Sequence, residues 1–267
     1  MRLMRILLIA LISVFAFSGC RKPPEAPQQL DELTKFLYQE WDNEDPAVME
    51  AALENLYNLL KKEDLEAGIL DRSWELTPIS KDVVSDIPYP DGANPQNTLG
   101  VAVGYISPFK IKDHARLQTE GDQLIAEPSA KVYERTFPED DDPLCFLDQS
   151  CDPLVTENDI ERQNILMTVQ MILYKDFRWV ETERGTAFIS RSWLDRSWDG
   201  ENGKSRVVQS YSIDCWLPVG KEIWRFQTLW SESEITGASD TATLATLKSS
   251  IDKAMETGDE AIEELYY

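Results

Sequence analysis

Histidine is almost absent from this chain: His114 is the single one in 267 residues. A histidine-rich metal site is therefore excluded, and a Ser-His-Asp apparatus would have to be built on that one ring. His114 lies in FKIKDHARL, with no Gly-x-Ser-x-Gly or comparable pattern beside it, and reads as a satisfied or exposed histidine. Cations are also scarce. There are 26 Lys and Arg against 48 Asp and Glu, a formal net charge of −22. That balance argues against nucleic-acid binding, which needs Lys and Arg gathered on one face. No P-loop and no Rossmann glycine pattern occurs. After residue 17 no apolar run approaches the roughly 20 residues that a spanning helix needs.

What is present begins at the first residue. Arg2 and Arg5 precede an apolar run of 12 residues, Ile6 to Phe17, broken only by Ser13. The run is too short to cross a bilayer and has the length of a signal-peptide core. It ends in Phe17-Ser18-Gly19-Cys20, which resembles the lipobox of bacterial lipoproteins. The resemblance implies a diacylglycerol on the Cys20 thiol, cleavage before Cys20 and acylation of the new amine. The competing reading is an ordinary secretory signal with an incidental cysteine. Two or three acyl chains make a stable anchor where one does not, at about 0.8 kcal/mol per buried methylene. Arg21 and Lys22 stand where anionic headgroups would be, and Pro23, Pro24 and Pro27 favour an extended spacer. The absence of Asp after Cys20 fits outer-membrane sorting as it operates for such lipoproteins in enteric bacteria.

Secretion changes how the other cysteines read. Cys145 and Cys151 have five residues between them in PLCFLDQSC, and a disulfide closing that loop is the leading reading. Two free thiols or half of a zinc site are the alternatives, and zinc would need two further ligands. Cys215, in SYSIDCWLP, reads as a buried free cysteine acting as a small apolar residue.

The expected organisation is a signal peptide over 1–19, a lipidated cysteine and proline-rich tether over 20–29, and one domain over 30–267. Leu30, Leu33, Phe36, Leu37 and Trp41 recur at helical spacing. After Asp45-Pro46, an N-cap followed by proline, Val48, Ala52, Leu56, Leu59 and Leu60 make a second stripe. A short acidic turn between them predicts a helix hairpin. Residues 68–98 are broken by prolines. Leu99, Val101, Val103 and Tyr105 then alternate with Gly100, Ala102 and Gly104, and the glycines call for a bend or for something packed closely on that face. Arg116 to Glu127 reads as a hairpin around Glu120-Gly121-Asp122, and Lys131 to Phe137 as a strand. From 162 to 231, period-two runs joined by short turns, a tight Lys175-Asp176 connection before a strand Phe177 to Thr182 and glycine turns after it, predict a long antiparallel meander that must twist and curl. A helix follows, capped by Ser239 or Asp240, with Leu244, Leu247, Ile251, Ala254, Met255, Ile262 and Leu265 as its stripe and Gly258 as a weak point.

Helices at both ends with strands between predict an α+β domain: a helix pair, a curved antiparallel meander, and a C-terminal helix covering one sheet face. That order resembles the helix-grip lipid-binding folds and the half-barrel of periplasmic lipoprotein carriers, and the resemblance is one of architecture.

Three clusters stand out as candidate sites. Arg191, Trp193, Arg196 and Trp198 lie in a repeated Arg-Ser-Trp, with a third copy at Arg72-Ser73-Trp74. Arg and Trp are residues of binding hot spots, and they also pack together in ordinary strand ends. Glu139, Asp140, Asp141, Asp142, Asp148 and Asp152 surround the cysteine loop without EF-hand spacing, and read as a solvated charge run rather than a calcium site. Met167, Met171, Tyr211, Trp224, Phe226 and Trp230 form an apolar set that either receives an acyl chain or is filled by the terminal helix. The expectation from sequence is a non-catalytic, lipid-anchored envelope protein, an accessory or scaffold subunit of an envelope complex or transporter. It would have no cofactor, no metal and no nucleic acid, with the membrane bound through Cys20. The alternative is a carrier of a lipid or hydrophobic ligand; an enzyme comes third.

Overall fold

The computed structural model describes residues 25–62, 72–138, 141–163, 168–201, 203 and 205–267. The signal peptide, Cys20, Arg21, Lys22, Glu139, Asp140 and Met167 lie outside the described residues.

The chain opens with α1 (Leu30–Gln39) and α2 (Pro46–Lys62), followed by β1 (Ser73–Leu76), β2 (Leu99–Ser107), α3 (Ile111–Gln118), β3 (Ala130–Thr136) and α4 (Pro143–Leu147). Then come β4 (Leu154–Gln163), β5 (Thr168–Thr182), β6 (Gly185–Trp193), β7 (Trp198–Asp199), β8 (Ser205–Val219), β9 (Glu222–Ile235) and α5 (Asp240–Tyr266). All strands pair antiparallel in one sheet of order β1-β2-β9-β8-β6-β5-β4-β3, with β7 beside β8. The meander runs from β3 to β9 with the predicted glycine turns, but Lys175 and Asp176, expected as a connection between two strands, lie inside the continuous β5 and pair with both neighbouring strands. β2 does not join it in sequence order. It pairs with β9, and the chain crosses through α3 to the opposite edge. The fold class is α+β, with the expected helix pair, long antiparallel sheet and C-terminal helix.

The sheet is covered on both faces, which departs from the single covered face expected. Strand alternation divides β9 cleanly. Trp224, Phe226 and Trp230 pack with Leu33, Leu37, Tyr38, Trp41, Leu53 and Leu56 of the helix pair and its turn, while Gln227, Leu229, Ser231 and Ser233 point the other way, toward α5. Tyr211 joins the first group, its ring 6.1 Å from that of Tyr38. So Tyr211, Trp224, Phe226 and Trp230 do not meet the terminal helix; among the expected apolar set, Met171 is the described member on the α5 side. Period two fixes which residues share a face but not which helix covers it.

Gly100 answers to the close packing that its strand predicts. A Cβ there would stand 2.6 Å from Trp230 Cδ1 and 2.9 Å from Leu76 Cβ, so the indole occupies the missing side chain's place. The expected hairpin over 116–127 is instead the end of α3 and a loop, joined to β3 only through the bridge Asp122 to Glu134. The buried residues His114, Ala115 and Leu117 follow a helical face, and Asp113 accepts from the Lys110 N–H at the helix start at 3.3 Å.

Candidate functional site

Helix α5 has two halves of different character. From Ile251 onward it is anchored. Ile251 and Met255 pack on Val101 and Val103, Ile262 packs with Leu117 and Ala126, and Thr257 donates to Ala126 O at 2.6 Å. Gly258 does not break the helix; its bare Cα lets the Arg225 guanidinium lie beneath, where Nη1 donates to Met255 O at 2.9 Å. From Asp240 to Ser250 no residue is buried. This half stands over the sheet and leaves a cavity of about 230 Å³, walled by α5 and by strands from β3 to β9. Flat strands spaced at about 4.8 Å would set β3 and β9 roughly 24 Å apart, so a single cavity touching both requires the sheet to curl. Its mouth continues into a wider cleft of about 670 Å³ past Glu127, Arg162, Thr246, Ser250 and Ala254.

The lining has two chemistries. Val169, Met171, Leu173, Val207, Leu229 and Leu247 supply an aliphatic wall. Val207 reaches it because a bulge between Val207 and Gln209 shifts the register of β8; unbroken alternation would place it with Tyr211 on the other face. The floor carries Ser192, Ser210, Ser212, Ser231 and Ser233, with Ser192 opposite Ser212 and Ser210 opposite Ser231. Small side chains on three adjacent strands are what leave the space unfilled. Beside them Lys175 Nζ pairs with Asp214 Oδ2 at 2.9 Å, both side chains at most 10% exposed. Ser190 Oγ donates to the same oxygen at 3.1 Å. Asp214 Oδ1 is buried and has no hydrogen-bond partner among the described residues. An unpaired buried carboxylate oxygen is costly.

The serines are the residues that sequence reasoning passed over. Their signal is plain in retrospect: serine at period two in ISRSW, SYSID and WSESE, three strands whose other face is aromatic or aliphatic. A sheet face of serine opposite a sheet face of Trp and Tyr marks a side that a neighbouring element does not fill.

Arg191, Trp193, Arg196 and Trp198 are not brought together. Arg191 is buried under the helix pair, bonded to Asp176 at 2.9 Å and Asp42 at 3.3 Å, and 5.2 Å from the Trp41 ring. Trp193 is buried on the same face, stacked on Tyr174. Arg196 is exposed and lies 4.5 Å over Trp198, which is half-buried beside Val169, Leu194 and Val207 on the opposite face. The third Trp of the repeat, Trp74, packs on Phe226.

Cys145 and Cys151 form a disulfide. It closes a loop in which Asp142 caps α4 through Leu144 N–H at 2.9 Å and Asp152 accepts from Trp179 N–H at 3.1 Å, so two of the acids serve the backbone. Among the described residues no three His, Cys, Asp or Glu converge as metal ligands. Cys215 is buried and free, its thiol pushed up by burial. His114 is buried with Nε2 at 2.9 Å from Ser107 Oγ, which donates to Asp259 Oδ1 at 2.9 Å. Burial and the neighbouring Arg225 hold His114 well below the ordinary histidine range, so the ring is neutral. Serine stands between His and Asp here, the reverse of a nucleophilic triad, and all three side chains are buried.

No family model matches the chain, and no curated protein does. Among solved structures it is similar to the STAR-related lipid transfer protein of Xanthomonas axonopodis, at 9% identity over 65% of this chain and 89% of that one, with a TM-score of 0.44. It is similar also to the lipid transfer and protein localization domain of human StarD13, at 11% identity over 78% and 96% and a TM-score of 0.43. A protein of Thermus thermophilus matches at 13% identity over 63% and 99%, with a TM-score of 0.41. Likenesses this distant carry no functional weight, and the chain's own cavity has to supply the argument.

Proposed function

We propose that this chain is a lipid-anchored binding protein for a neutral amphiphile, held between the sheet and the free half of α5. The carrying observation is the cavity itself: aliphatic on its walls, hydroxyl-lined on its floor, with one buried ion pair at its polar end. An acyl chain suits the Val, Leu and Met wall. The floor serines and the Lys175–Asp214 pair can take up a hydroxyl-bearing head, whereas a carboxylate head would meet the Asp214 charge at close range. The anchor is Cys20, on the strength of the lipobox-like boundary. A filled core with an exposed Arg/Trp patch would favour the scaffold reading, and two of the four residues, Arg191 and Trp193, are buried.

The test is native mass spectrometry of the full chain after mild detergent extraction, with monoolein and oleate offered in competition. Monoolein should be retained in preference. Leucine at the facing pair Ser210 and Ser231 should fill the floor, cutting retention at least about tenfold while the melting temperature holds. No bound mass with either lipid, or equal retention by the filled variant, would reject the binding role. For the anchor, Cys20→Ala should abolish labelling by a palmitate analogue and block maturation; labelling that persists would reject it.

A further inference from the structure

The spacer that follows Cys20 is fixed to the domain almost at once. Ala26 is buried in the helix-pair core, and the carbonyls of Ala26 and Pro27 each accept from Asn55 Nδ2 at 3.0 Å. Six residue steps then separate Cys20 from the fixed point. At most about 3.6 Å per step, they reach roughly 20 Å.

The fixed point is far from the cavity mouth in two directions. Glu54, next to Asn55, pairs with Arg184 Nε at 3.3 Å, and the Arg184 guanidinium lies 3.5 Å over Tyr57. This stretch of α2 therefore sits at the β5–β6 turn, by Thr182. The mouth opens by Gln163, at the end of β4 that pairs with Thr168. β5 spans 15 residues between these ends, roughly 45 Å at the usual strand rise. The two points also lie on opposite faces, the spacer with α1 and α2 and the mouth with α5. The mouth carries no apolar wedge that would hold a bilayer. The exposed large hydrophobic residues among those described are Leu144, Leu265 and Tyr267, and none lines the cavity or its cleft.

We infer that the short fixed tether holds the cavity mouth away from the membrane carrying the Cys20 anchor, so that ligand enters and leaves from the aqueous side. This rests on the anchored-binder reading above and adds a direction to it: ligand is exchanged in trans, not drawn from the anchoring leaflet.

The test uses the lipidated chain on vesicles containing headgroup-spin-labelled lipid. A fluorophore is placed at Glu183→Cys or at Ser249→Cys, both exposed positions, one at the β5–β6 turn and one at the mouth. Cys215 is buried and Cys145 and Cys151 are bonded, so the new thiol is the one that labels. Quenching at position 183 should exceed that at 249 by about threefold or more. A flexible Gly/Ser insert of about 20 residues between Pro24 and Glu25 should erase the difference. Equal quenching with the native tether, or a difference that the insert leaves untouched, would overturn the inference, as would a chain that does not stay on vesicles through Cys20. Quenching reads orientation whether or not ligand is bound. An empty cavity in mass spectrometry would therefore reject the ligand while leaving the orientation standing.

Discussion

Lys175→Met is expected to cost about 3–5 kcal/mol and to lower the melting temperature by roughly 10 °C. The Lys175 side chain is 10% exposed and its partner Asp214 6%, so removing the ammonium leaves a buried carboxylate bonded to Ser190, with the Arg225 charge as its nearby compensation. The penalty comes from that stranded charge more than from the lost attraction. The double variant Lys175→Met, Asp214→Leu should therefore recover most of the loss, since a desolvated pair and an apolar pair of similar volume are often close in stability. Ligand retention should separate the two effects. The double variant should fold, yet it lacks the buried ion pair of the cavity and should bind monoolein at least about tenfold more weakly. Thermal melts with native mass spectrometry on the same samples check both. A double variant as unstable as the single would show that the pair is held by more than its own charges. A stable double variant that binds normally would remove Lys175 and Asp214 from the site.

Arg191→Ala is expected to be as damaging, at about 3–5 kcal/mol at neutral pH. Its guanidinium bonds Asp176 at 2.9 Å and lies between the Tyr38, Trp41 and Trp193 rings, so truncation strands Asp176 and opens a gap under the helix pair. The loss should depend on pH. Burial already raises the Asp176 carboxyl above its ordinary value, with the Arg191 hydrogen bond and charge working against that rise. Without Arg191 the folded-state pKa climbs further. A group whose folded pKa lies above its unfolded value lends stability that is full below the unfolded pKa, near 4, and lost as pH rises through the folded one. The variant should thus recover part of its deficit when denaturant unfolding is repeated at pH 5 rather than 7.5. A deficit equal at both pH values would show that the cost is packing alone. Arg196→Ala, at an exposed side chain, should stay within about 0.5 kcal/mol of the parent. The contrast between the two arginines of one repeat measures how far burial, not residue type, sets their roles.

That contrast also shows where reading the chain alone stops. Arg191 and Arg196 look equivalent in Arg-Ser-Trp-Leu-Asp-Arg-Ser-Trp, yet Trp193 ends β6 and Trp198 begins β7, and the two rings lie on opposite faces. Which face lies beneath a helix pair is a long-range fact: Tyr38 OH reaches Ser192 O across 154 positions. Local patterns carried what depends on local geometry. The two N-terminal stripes became α1 and α2, period two and glycine turns became the meander, and Gly100 proved to be the seat of an indole. A five-residue gap between two cysteines sufficed for the Cys145–Cys151 bond. The misread segment, 116–127, begins inside α3, a helix of 8 residues with few apolar positions, too short a run to establish a helical period.

Spacing along the chain and composition carry most of the element classes, the order of helix pair, meander and closing helix, most strand faces and the polarity of the molecule. The tertiary structure alone decided that both sheet faces are covered, that β2 closes on β9, and that a bulge in β8 turns Val207 toward the cavity. It also decided the site. Lys175 and Asp214 are 39 residues apart, and the serines come from three strands. They meet only because antiparallel pairing aligns them, and the space over them stays unfilled because their side chains are small and α5 buries no residue before Ile251. Cavities are differences between surfaces that pack and surfaces that do not, and a chain read one residue at a time records neither.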